Sequence, residues 1–317
     1  MKTSQESKIA VVIPCHNEEV TIRKVIDDFR QELASAVIYV FDNCSTDATA
    51  TIATEHGANV INEPRRGKGF VVENIFSRIN ADFYVMVDGD DTYPADYANK
   101  LLEPLMTGDA DMVVGARLTE YAEKSFRPLH IFGNNLIRRL VNWMGGVQLT
   151  DIMSGYRAFN RRVVERIPVV SSGFEVETEM TINMLYYRMK IIEVQVPYKC
   201  RPAGSKSKLD TFRDGFRVLW KIFTLFRSFK PLTFFGSLGL LFLILGLMAG
   251  ILPVHDYLTD PNHYVRHFPL AILATGLVIL SAGFAFLGIL LHVLNWRLLE
   301  LHNVLTRKKQ VTKETIH

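Results

Sequence analysis

Two long stretches near the C-terminus contain no charged residue, and they strongly restrict the folds open to this chain. They run from Pro231 to Val254 and from Phe268 to Trp296. Each exceeds the roughly 20 residues that a helix needs to cross the hydrocarbon core of a bilayer. Two helices buried in a soluble core are the alternative, which the length of both stretches disfavours. We therefore expect two membrane-spanning helices.

Basic residues flank these two spans unequally. Arg217, Lys221, Arg227 and Lys230 precede the first span, and Arg297, Arg307, Lys308 and Lys309 follow the second. The connecting segment, residues 255–267, contains only Arg266 among lysines and arginines. By the positive-inside rule, both termini and the preceding domain lie in the cytoplasm. The sequence thus predicts a multi-pass protein of the inner, cytoplasmic membrane, with a short extracytoplasmic loop.

Charge and cysteine content exclude several other classes. The net charge of +3 over 317 residues is too small to indicate a nucleic-acid partner. Cys15, Cys44 and Cys200 are odd in number and widely spaced, which argues against a disulfide framework or a zinc site and fits a reducing compartment. The apolar run after the polar N-terminus is too short for a signal-peptide core, so we expect the N-terminal domain not to be exported.

Residues 9–117 alternate short apolar runs with segments of helical spacing. The predicted strands are 9–14, 36–42, 59–62, 83–87 and 112–114, and the predicted helices are 18–33, 46–56, 70–79 and 95–106. Apolar strands separated by helices indicate a Rossmann-like α/β fold whose mostly parallel sheet is covered on both faces. Ligands bind such sheets beyond the carboxyl ends of the strands. Because no Gly-x-Gly-x-x-Gly follows the first strand, a dinucleotide fold of the usual kind is disfavoured.

The segment Tyr84–Asp91 carries the strongest chemical signal. A short apolar strand is followed at once by three carboxylates, Asp88, Asp90 and Asp91. Carboxylates packed this closely repel one another unless a cation lies between them. Hard oxygen ligands in that number suit Mg²⁺ or Mn²⁺. We therefore predict a divalent metal site with these three ligands, and a solvated acidic turn before Pro94 is the alternative.

Polar residues follow the other predicted strands as well. Pro14, Asn17 and Glu18 follow the first strand, Asp42 and Asn43 the second, and the basic loop Arg65–Gly69 the third. Asp42 is placed to hold a ribose or a base edge, and the basic loop supplies cations at a helix start, where anions bind. Together these residues suggest a nucleotide diphosphate that carries a metal. A helix cap at Asp42 and a solvated basic loop are the separate alternatives.

Several of these segments, taken in order, resemble the family 2 glycosyltransferases of GT-A fold. They are Val12–Glu19, Asp42–Asp47, Arg66–Gly69 and Asp88–Asp90. Further on, Asp151–Arg157 and Ser207–Leu209 resemble the subgroup that includes dolichol-phosphate mannose synthase and bacterial polyprenyl-phosphate glycosyltransferases. The resemblance covers roughly residues 8–230 in ordered motifs, which makes it far more specific than any single motif.

The resemblance implies a role for each matching residue. The nucleotide would be contacted by Pro14, Glu18, Asp42 and Lys68, with Asn17 and Asn43 beside them. The metal and the diphosphate would be bound by Asp88 and Asp90. The acceptor phosphate would be bound by Arg117 and Arg127. Lys208 matches the subgroup's later basic motif. Some relatives carry a glutamine as a further metal ligand where this chain has Thr92, so Asp91 is a candidate substitute.

The role of Asp151 depends on the acceptor. In many sugar transferases a carboxylate at this place would deprotonate an acceptor hydroxyl. A phosphate monoester, with a second pKa of about 6, is already largely dianionic at pH 7 and needs no base. We assign Asp151 to the site and leave open whether it acts as a base or orients ligands.

The segments on either side of this motif have weaker patterns. Residues 126–145 predict an amphipathic helix that lies on the membrane or packs on the sheet. Residues 174–199 predict a helix and a strand, and we expect one of Glu175, Glu177 and Glu179 to approach the site while the others are solvated. Residues 201–209 form a basic loop, either a linker or a flap over a phosphate.

The predicted architecture is a GT-A domain followed by an amphipathic interfacial helix and two transmembrane helices. Its predicted boundaries are 1–209 for the transferase domain, 210–230 for the interfacial helix, 231–254 and 268–296 for the spans, 255–267 for the loop and 297–317 for a cytoplasmic tail. In residues 210–230 a basic stripe lies beside aromatic residues, a pattern that suits the headgroups of an anionic membrane.

The predicted function is inverting transfer of a sugar from a nucleotide sugar to a polyprenyl phosphate, undecaprenyl or dolichyl phosphate. A UDP-sugar is favoured and a GDP-sugar is possible, and the sequence does not specify the sugar. A transferase acting on a lipid or polysaccharide hydroxyl is one alternative, although the Gln-x-x-Arg-Trp pattern of processive synthases is absent. A non-catalytic membrane binding or transport protein is another, although neither span carries an acidic or basic residue to mark a path. A homo-oligomer is compatible with the resemblance, but no sequence feature requires one.

Overall fold

The computed structural model describes residues 7–117, 135, 138–143, 145–173, 175–202, 220, 223–224 and 226–315. Two of the predicted site residues, Arg127 and Lys208, lie outside this set, as do most of the predicted amphipathic segments 126–145 and 210–230. The chain forms two compact units, Met1–Ile222 and Phe223–His317.

The first unit is built on a seven-stranded sheet with helices between the strands. Its strands are β1 (Ile9–Cys15), β2 (Val37–Asp42), β3 (Asn59–Asn62), β4 (Phe83–Met86), β5 (Met112–Arg117), β6 (Arg157–Asn160) and β7 (Ile191–Val196). Its helices are α1 (Ile22–Glu32), α2 (Thr49–Glu55), α3 (Lys68–Arg78), α4 (Ala98–Met106), α5 (Arg161–Arg166) and α6 (Val176–Tyr186), with a 3-10 turn at Ala95–Tyr97. Every strand predicted between residues 9 and 117 is present, and the α/β fold class is confirmed.

The strand order is β3-β2-β1-β4-β6-β5-β7. Strands β1 to β4 pair in parallel, as do β5 and β7, whereas β6 runs antiparallel to both β4 and β5. Because β6 runs in the opposite direction, its first residue, Arg157, pairs with Met86 near the carboxyl end of β4. The loop that precedes β6 therefore arrives at the edge of the sheet where the parallel strands end.

Apolar residues pack on both faces of the sheet. Along β1, Val11 and Ile13 belong to the cluster that α1 and α4 cover, while Ala10 and Val12 belong to the cluster that α3 and α6 cover. This alternation explains why the strands read as continuous apolar runs, since each face needs its own set of side chains. With both faces covered, the carboxyl edge is the natural place for a ligand.

The second unit contains two long apolar helices, α7 (Pro231–Thr259) and α8 (Phe268–Thr315). The two helices pack closely because Gly239 and Gly246 of α7 have no side chain between the backbones. A Cβ added at Gly239 or Gly246 would lie 3.1 or 3.2 Å, respectively, from a carbonyl oxygen of α8. By length and composition, Pro231–Thr259 and Phe268–Leu298 could each cross a membrane. Residues 255–259, which belong to the predicted extracytoplasmic loop, continue α7, and the boundaries of that loop stay a prediction.

Candidate active site

The carboxyl edge of the sheet gathers the predicted site residues that the structure describes. The residues at this edge are Pro14, Asn17, Glu18, Asp42, Asn43, Lys68, Asp88, Asp90, Asp91, Arg117 and Asp151. Hydrogen bonds link the loops that carry them: Asn43 N donates to the carbonyl of Cys15, and Lys68 Nζ donates to Asp88. The parallel strands thus bring together side chains that are far apart in the sequence.

Lys68 is the central cation of this edge. It begins α3, and its Nζ lies 2.5 Å from Asp88 Oδ1 and 2.5 Å from Glu177 Oε1. Burial alone lowers the pKa of Lys68, but the two carboxylates outweigh burial and raise it above its ordinary value, so the ammonium stays charged. Glu177 is thus a site residue that sequence reasoning did not single out among three neighbouring glutamates.

The other two glutamates of this segment differ from each other. Glu179 is buried, and its Oε2 accepts hydrogen bonds from the backbone N–H groups of Val170 and Ser171. The expectation that Glu179 is solvated is therefore wrong, because the carboxylate is buried and is needed there as the acceptor for two backbone N–H groups. Glu175 accepts a 3.3 Å hydrogen bond from Gly173 N at the start of α6.

Asp90 is nearly inaccessible, with 3% of its surface exposed. Its Oδ2 lies 2.6 Å from Arg201 Nη2, and Thr92 Oγ1 donates a 2.6 Å hydrogen bond to its Oδ1. Burial, followed by the nearby charge of Asp88, raises the pKa of Asp90, and Arg201 opposes them. Thr92 therefore orients Asp90 in this structure. Arg201, the first residue of the predicted basic loop, is a second site residue that the sequence patterns did not single out.

Asp91 turns away from the other two carboxylates. Its backbone has φ of +56°, in the left-handed region that aspartate tolerates, and its Oδ1 lies 2.8 Å from Lys24 Nζ on α1. Lys24 also contacts Asp28 at 2.7 Å. The assignment of Asp91 as a metal ligand stays a prediction, and in this structure its carboxylate instead ties the loop after β4 to α1.

Asp88 and Asp90 could bind a divalent ion if a substrate diphosphate supplied further oxygen ligands. Among the described residues, no three His, Cys, Asp or Glu side chains converge closely enough to hold a metal ion. Asp88 and Asp90 nevertheless lie close enough for one charge to raise the pKa of the other group. Mg²⁺ and similar ions are usually bound by one or two carboxylates with substrate phosphates and waters. The donor set therefore fits an ion shared with a diphosphate.

Asp42 has the chemistry of a ligand-binding group. It ends β2 beside Cys15 of β1 and is largely buried. Within the described part of the chain, its Oδ1 is buried and accepts no hydrogen bond. A buried carboxylate oxygen without a donor is costly, so this atom is suited to accept a hydrogen bond from a ligand N–H or O–H.

Asn17 and Asn43 shape the loops around Asp42. Asn17 Oδ1 accepts a 2.7 Å hydrogen bond from Thr46 N. Asn43 Nδ2 donates to the carbonyls of Glu63 and Arg65, and its Oδ1 accepts a 2.7 Å hydrogen bond from Gly67 N. Asn43 thus holds the basic loop in the position that places Lys68 at the edge. Direct contact of either asparagine with a nucleotide stays a prediction.

Two glycines permit close approach at this edge. Gly67 has φ of +141°, and the carbonyl oxygen of Ser172 occupies the place where a Cβ would lie. A Cβ at Gly155 would overlap the carboxylate of Asp88. The loop before β6 therefore needs glycine at position 155 to lie against the site.

Arg117 and Asp151 form a bidentate pair at the end of β5. Arg117 Nε lies 2.6 Å from Asp151 Oδ2, and Arg117 Nη2 lies 2.9 Å from Asp151 Oδ1. Burial acts to raise the pKa of Asp151, but the charge and the hydrogen bonds of Arg117 outweigh it and leave the pKa below its usual range. An aspartate held in this way is a weak proton acceptor. Both residues lie at the carboxyl edge of the sheet, and their roles stay predictions.

Comparison with solved structures defines the class of this fold. The glucosyl-3-phosphoglycerate synthase of Mycobacterium tuberculosis, solved with Mn²⁺ and UDP-glucose, matches with a TM-score of 0.56 at 23% identity, over 68% of this chain and 79% of that one. At this level of identity the likeness concerns the fold alone. The first unit thus has a GT-A-like fold.

The chain belongs to glycosyl transferase family 2, whose family model matches residues 10–168. The glycosyltransferase AglJ of Haloferax volcanii is 32% identical over 283 residues, which cover 89% of this chain and 92% of that protein. A dolichyl-phosphate hexose transferase of the same organism is 33% identical over 208 residues, covering 65% of this chain and 89% of that protein. The resemblance inferred from the motifs is therefore confirmed.

Proposed function

We propose that this protein transfers a sugar from a nucleotide diphosphate sugar to a polyprenyl phosphate at the cytoplasmic face of a membrane. The observation that carries the proposal is that the Lys68–Asp88 pair and the Arg117–Asp151 pair lie at the same carboxyl edge of the sheet. The same chain contains two apolar helices of membrane-spanning length. Its similarity to a dolichyl-phosphate hexose transferase supports the choice of acceptor.

The donor half of the site lies around Asp42 and Lys68. Oδ1 of Asp42 is suited to accept a hydrogen bond from the base or the ribose. Lys68 is a charged donor at the N-terminus of α3, where the helix dipole favours phosphate. A UDP-sugar is the favoured donor, as in the M. tuberculosis synthase structure, and a GDP-sugar is the second candidate.

A divalent cation, Mg²⁺ or Mn²⁺, would be held by Asp88 and Asp90 together with the diphosphate. Such an ion supplies Lewis-acid neutralisation of the departing diphosphate. Lys68 adds a positive charge beside Asp88. Thr92 keeps the carboxylate of Asp90 in one orientation, which limits the reorganisation that ligand binding would require.

The acceptor half of the proposed site requires positive charge and no base. A phosphate monoester is largely dianionic at pH 7 and can attack the anomeric carbon directly, with inversion. Arg117 presents a guanidinium at the edge, and Asp151 fixes its orientation. The low pKa of Asp151 disfavours a hydroxyl acceptor, which would need a proton acceptor. Arg127 and Lys208 are proposed as further cations for the lipid phosphate.

The proposed location is the inner, cytoplasmic membrane. The two apolar helices would span it, and the excess of lysine and arginine outside residues 255–267 would keep the transferase domain in the cytoplasm. A homo-oligomer is compatible with this arrangement and is not required by it.

The decisive assay uses radiolabelled UDP- and GDP-sugars with the full chain in membranes. Each donor is offered polyprenyl phosphate or, as the matched control, the polyprenol that lacks the phosphate. We expect an acid-labile lipid product from the phosphate only, and its loss when a chelator removes Mg²⁺ and Mn²⁺. Product formed from the polyprenol would refute the acceptor, and no lipid product from any donor would refute the proposal as a whole.

A further inference from the structure

One lysine pairs with two carboxylates at the candidate active site, the partly exposed Asp88 and the buried Glu177. Lys68 Nζ lies 2.5 Å from an oxygen of Asp88 and 2.5 Å from an oxygen of Glu177. The side chains of Lys68 and Glu177 are only 8% and 5% exposed. The Lys68–Glu177 pair is therefore poorly screened by water, whereas the side chain of Asp88 is 29% exposed and its pair with Lys68 is screened more.

Occupation of Asp88 by a divalent ion would change this balance. The ion and Lys68 would compete for the same carboxylate, and the two cations would repel each other. Without a second anion, the ammonium would be left buried and unpaired, which is very costly. Glu177 supplies that anion from the first turn of α6, where the helix dipole stabilises a carboxylate.

We propose that Glu177 is a positioning residue that retains Lys68 when a divalent ion and a nucleotide diphosphate occupy Asp88. This inference rests on the proposed function. In the ligand-free protein, Lys68 is shared between Asp88 and Glu177. In the loaded protein, Glu177 alone holds Lys68 and directs its ammonium toward the diphosphate.

The arrangement couples metal binding to nucleotide binding. Before the nucleotide arrives, Lys68 competes with the metal for Asp88. The diphosphate then offers Lys68 a new anionic partner, so the competition weakens and the metal binds more tightly. By linkage, the metal strengthens nucleotide binding by the same factor.

The test measures Mn²⁺ affinity by electron paramagnetic resonance on the full chain in detergent, with and without UDP. Among the described residues, Glu177→Gln leaves Lys68 with Asp88 as its only carboxylate partner, so Mn²⁺ affinity without UDP is expected to fall about 10-fold. Lys68→Met removes the competitor, so Mn²⁺ affinity without UDP is expected to rise. In the Lys68→Met background, Glu177→Gln is expected to change Mn²⁺ affinity by less than about 3-fold, because Glu177 acts through Lys68.

Glu175→Gln is the matched control, since it removes the same charge from the same end of α6. Glu175 accepts a hydrogen bond from Gly173 N, which glutamine can preserve, and Mn²⁺ affinity is expected to stay unchanged. Glu177→Asp retains the charge on a shorter side chain, and it is expected to lower Mn²⁺ affinity less than Glu177→Gln. This variant also tests the inference if the glutamine variant does not fold.

Two results would overturn this inference and leave the proposed function unaffected. One is an equal fall in Mn²⁺ affinity from Glu177→Gln in both backgrounds, which would mean that Glu177 acts on the ion directly. The other is no change from Glu177→Gln in the otherwise unaltered chain. Failure of the unaltered chain to bind Mn²⁺ even with UDP would overturn both this inference and the metal part of the proposed function.

Discussion

Glu63 anchors the loop that carries Lys68, and its replacement by glutamine is expected to destabilise the transferase unit. The carboxylate is 2% exposed and accepts hydrogen bonds from Arg65 N, Arg65 Nε, Arg65 Nη2 and Asn74 Nδ2, at 2.9 to 3.0 Å. The hydrogen bonds from Arg65 are the largest influence on its pKa. Together with Asn74 they outweigh burial and lower the pKa of Glu63 to about 2.

The pKa sets the size and the pH range of the effect. A fall from 4.5 to about 2 corresponds to about 3 kcal/mol of stability at neutral pH. Because Arg65 is half-exposed and water screens its charge, this value is an upper bound on the contribution of Glu63 to stability. The folded-state pKa is depressed, so this stabilisation is complete above about pH 4.5 and is lost as the pH falls toward about 2.

Pulse proteolysis of the full chain in detergent, over a series of urea concentrations, measures this loss. For an m-value of about 2 kcal/mol/M, Glu63→Gln is expected to lower the urea midpoint by about 1 to 1.5 M at pH 7. The gap between the two proteins is expected to narrow at pH 3. The Michaelis constant for the donor is also expected to rise, because the carbonyls of Glu63 and Arg65 accept from Asn43.

Glu73→Gln is the matched control for this prediction. Glu73 contacts the same guanidinium, with 3.0 Å between Arg65 Nη1 and Glu73 Oε2, but its side chain is 51% exposed. Exposed ion pairs contribute about 0 to 1 kcal/mol, so the urea midpoint should shift by less than about 0.5 M. Equal shifts in the two variants, or a Glu63→Gln effect that does not depend on pH, would refute the reasoning.

Further substitutions test the metal, acceptor and packing arguments. Asp90→Asn is expected to lower metal-dependent turnover by at least about 100-fold while urea stability is retained. Gly155→Ala is expected to lower turnover by about 10- to 100-fold, because its Cβ displaces the carboxylate of Asp88. Arg117→Met is expected to raise the Michaelis constant for the lipid phosphate more than the dissociation constant of the nucleotide. Tyr156→Phe removes a buried hydroxyl that has no hydrogen-bond partner within the described residues, and it is expected to leave stability unchanged or raise it by up to about 1 kcal/mol.

Each of these expectations has a contrary result. Normal turnover in Asp90→Asn would remove Asp90 from the metal site, and normal turnover in Gly155→Ala would mean that Asp88 need not hold its position. Equal losses of lipid and nucleotide affinity in Arg117→Met would contradict its acceptor role. A clear fall in the urea midpoint of Tyr156→Phe would reveal a partner for the hydroxyl.

The elements that local pattern determines were predictable from the sequence. Continuous apolar runs located β1 to β5, since a strand buried on both faces has no polar side. The absence of charge located the part of α7 up to Val254 and the part of α8 up to Trp296 in the same way. The rule that ligands bind beyond the carboxyl ends of parallel strands places Asp42, Lys68 and Asp88 at one edge from the sequence alone.

Only the tertiary structure decided which charges meet at that edge. Lys68 pairs with Glu177 and Asp90 pairs with Arg201, and in each pair more than one hundred positions separate the partners in the printed sequence. The short antiparallel strand β6 was not predicted either, although it inserts between β4 and β5 and carries the loop with Gly155 to Asp88. Hydrophobic periodicity reports only whether a residue is buried within its own element. The choice of partner depends on how the sheet orders its strands, which local sequence does not encode.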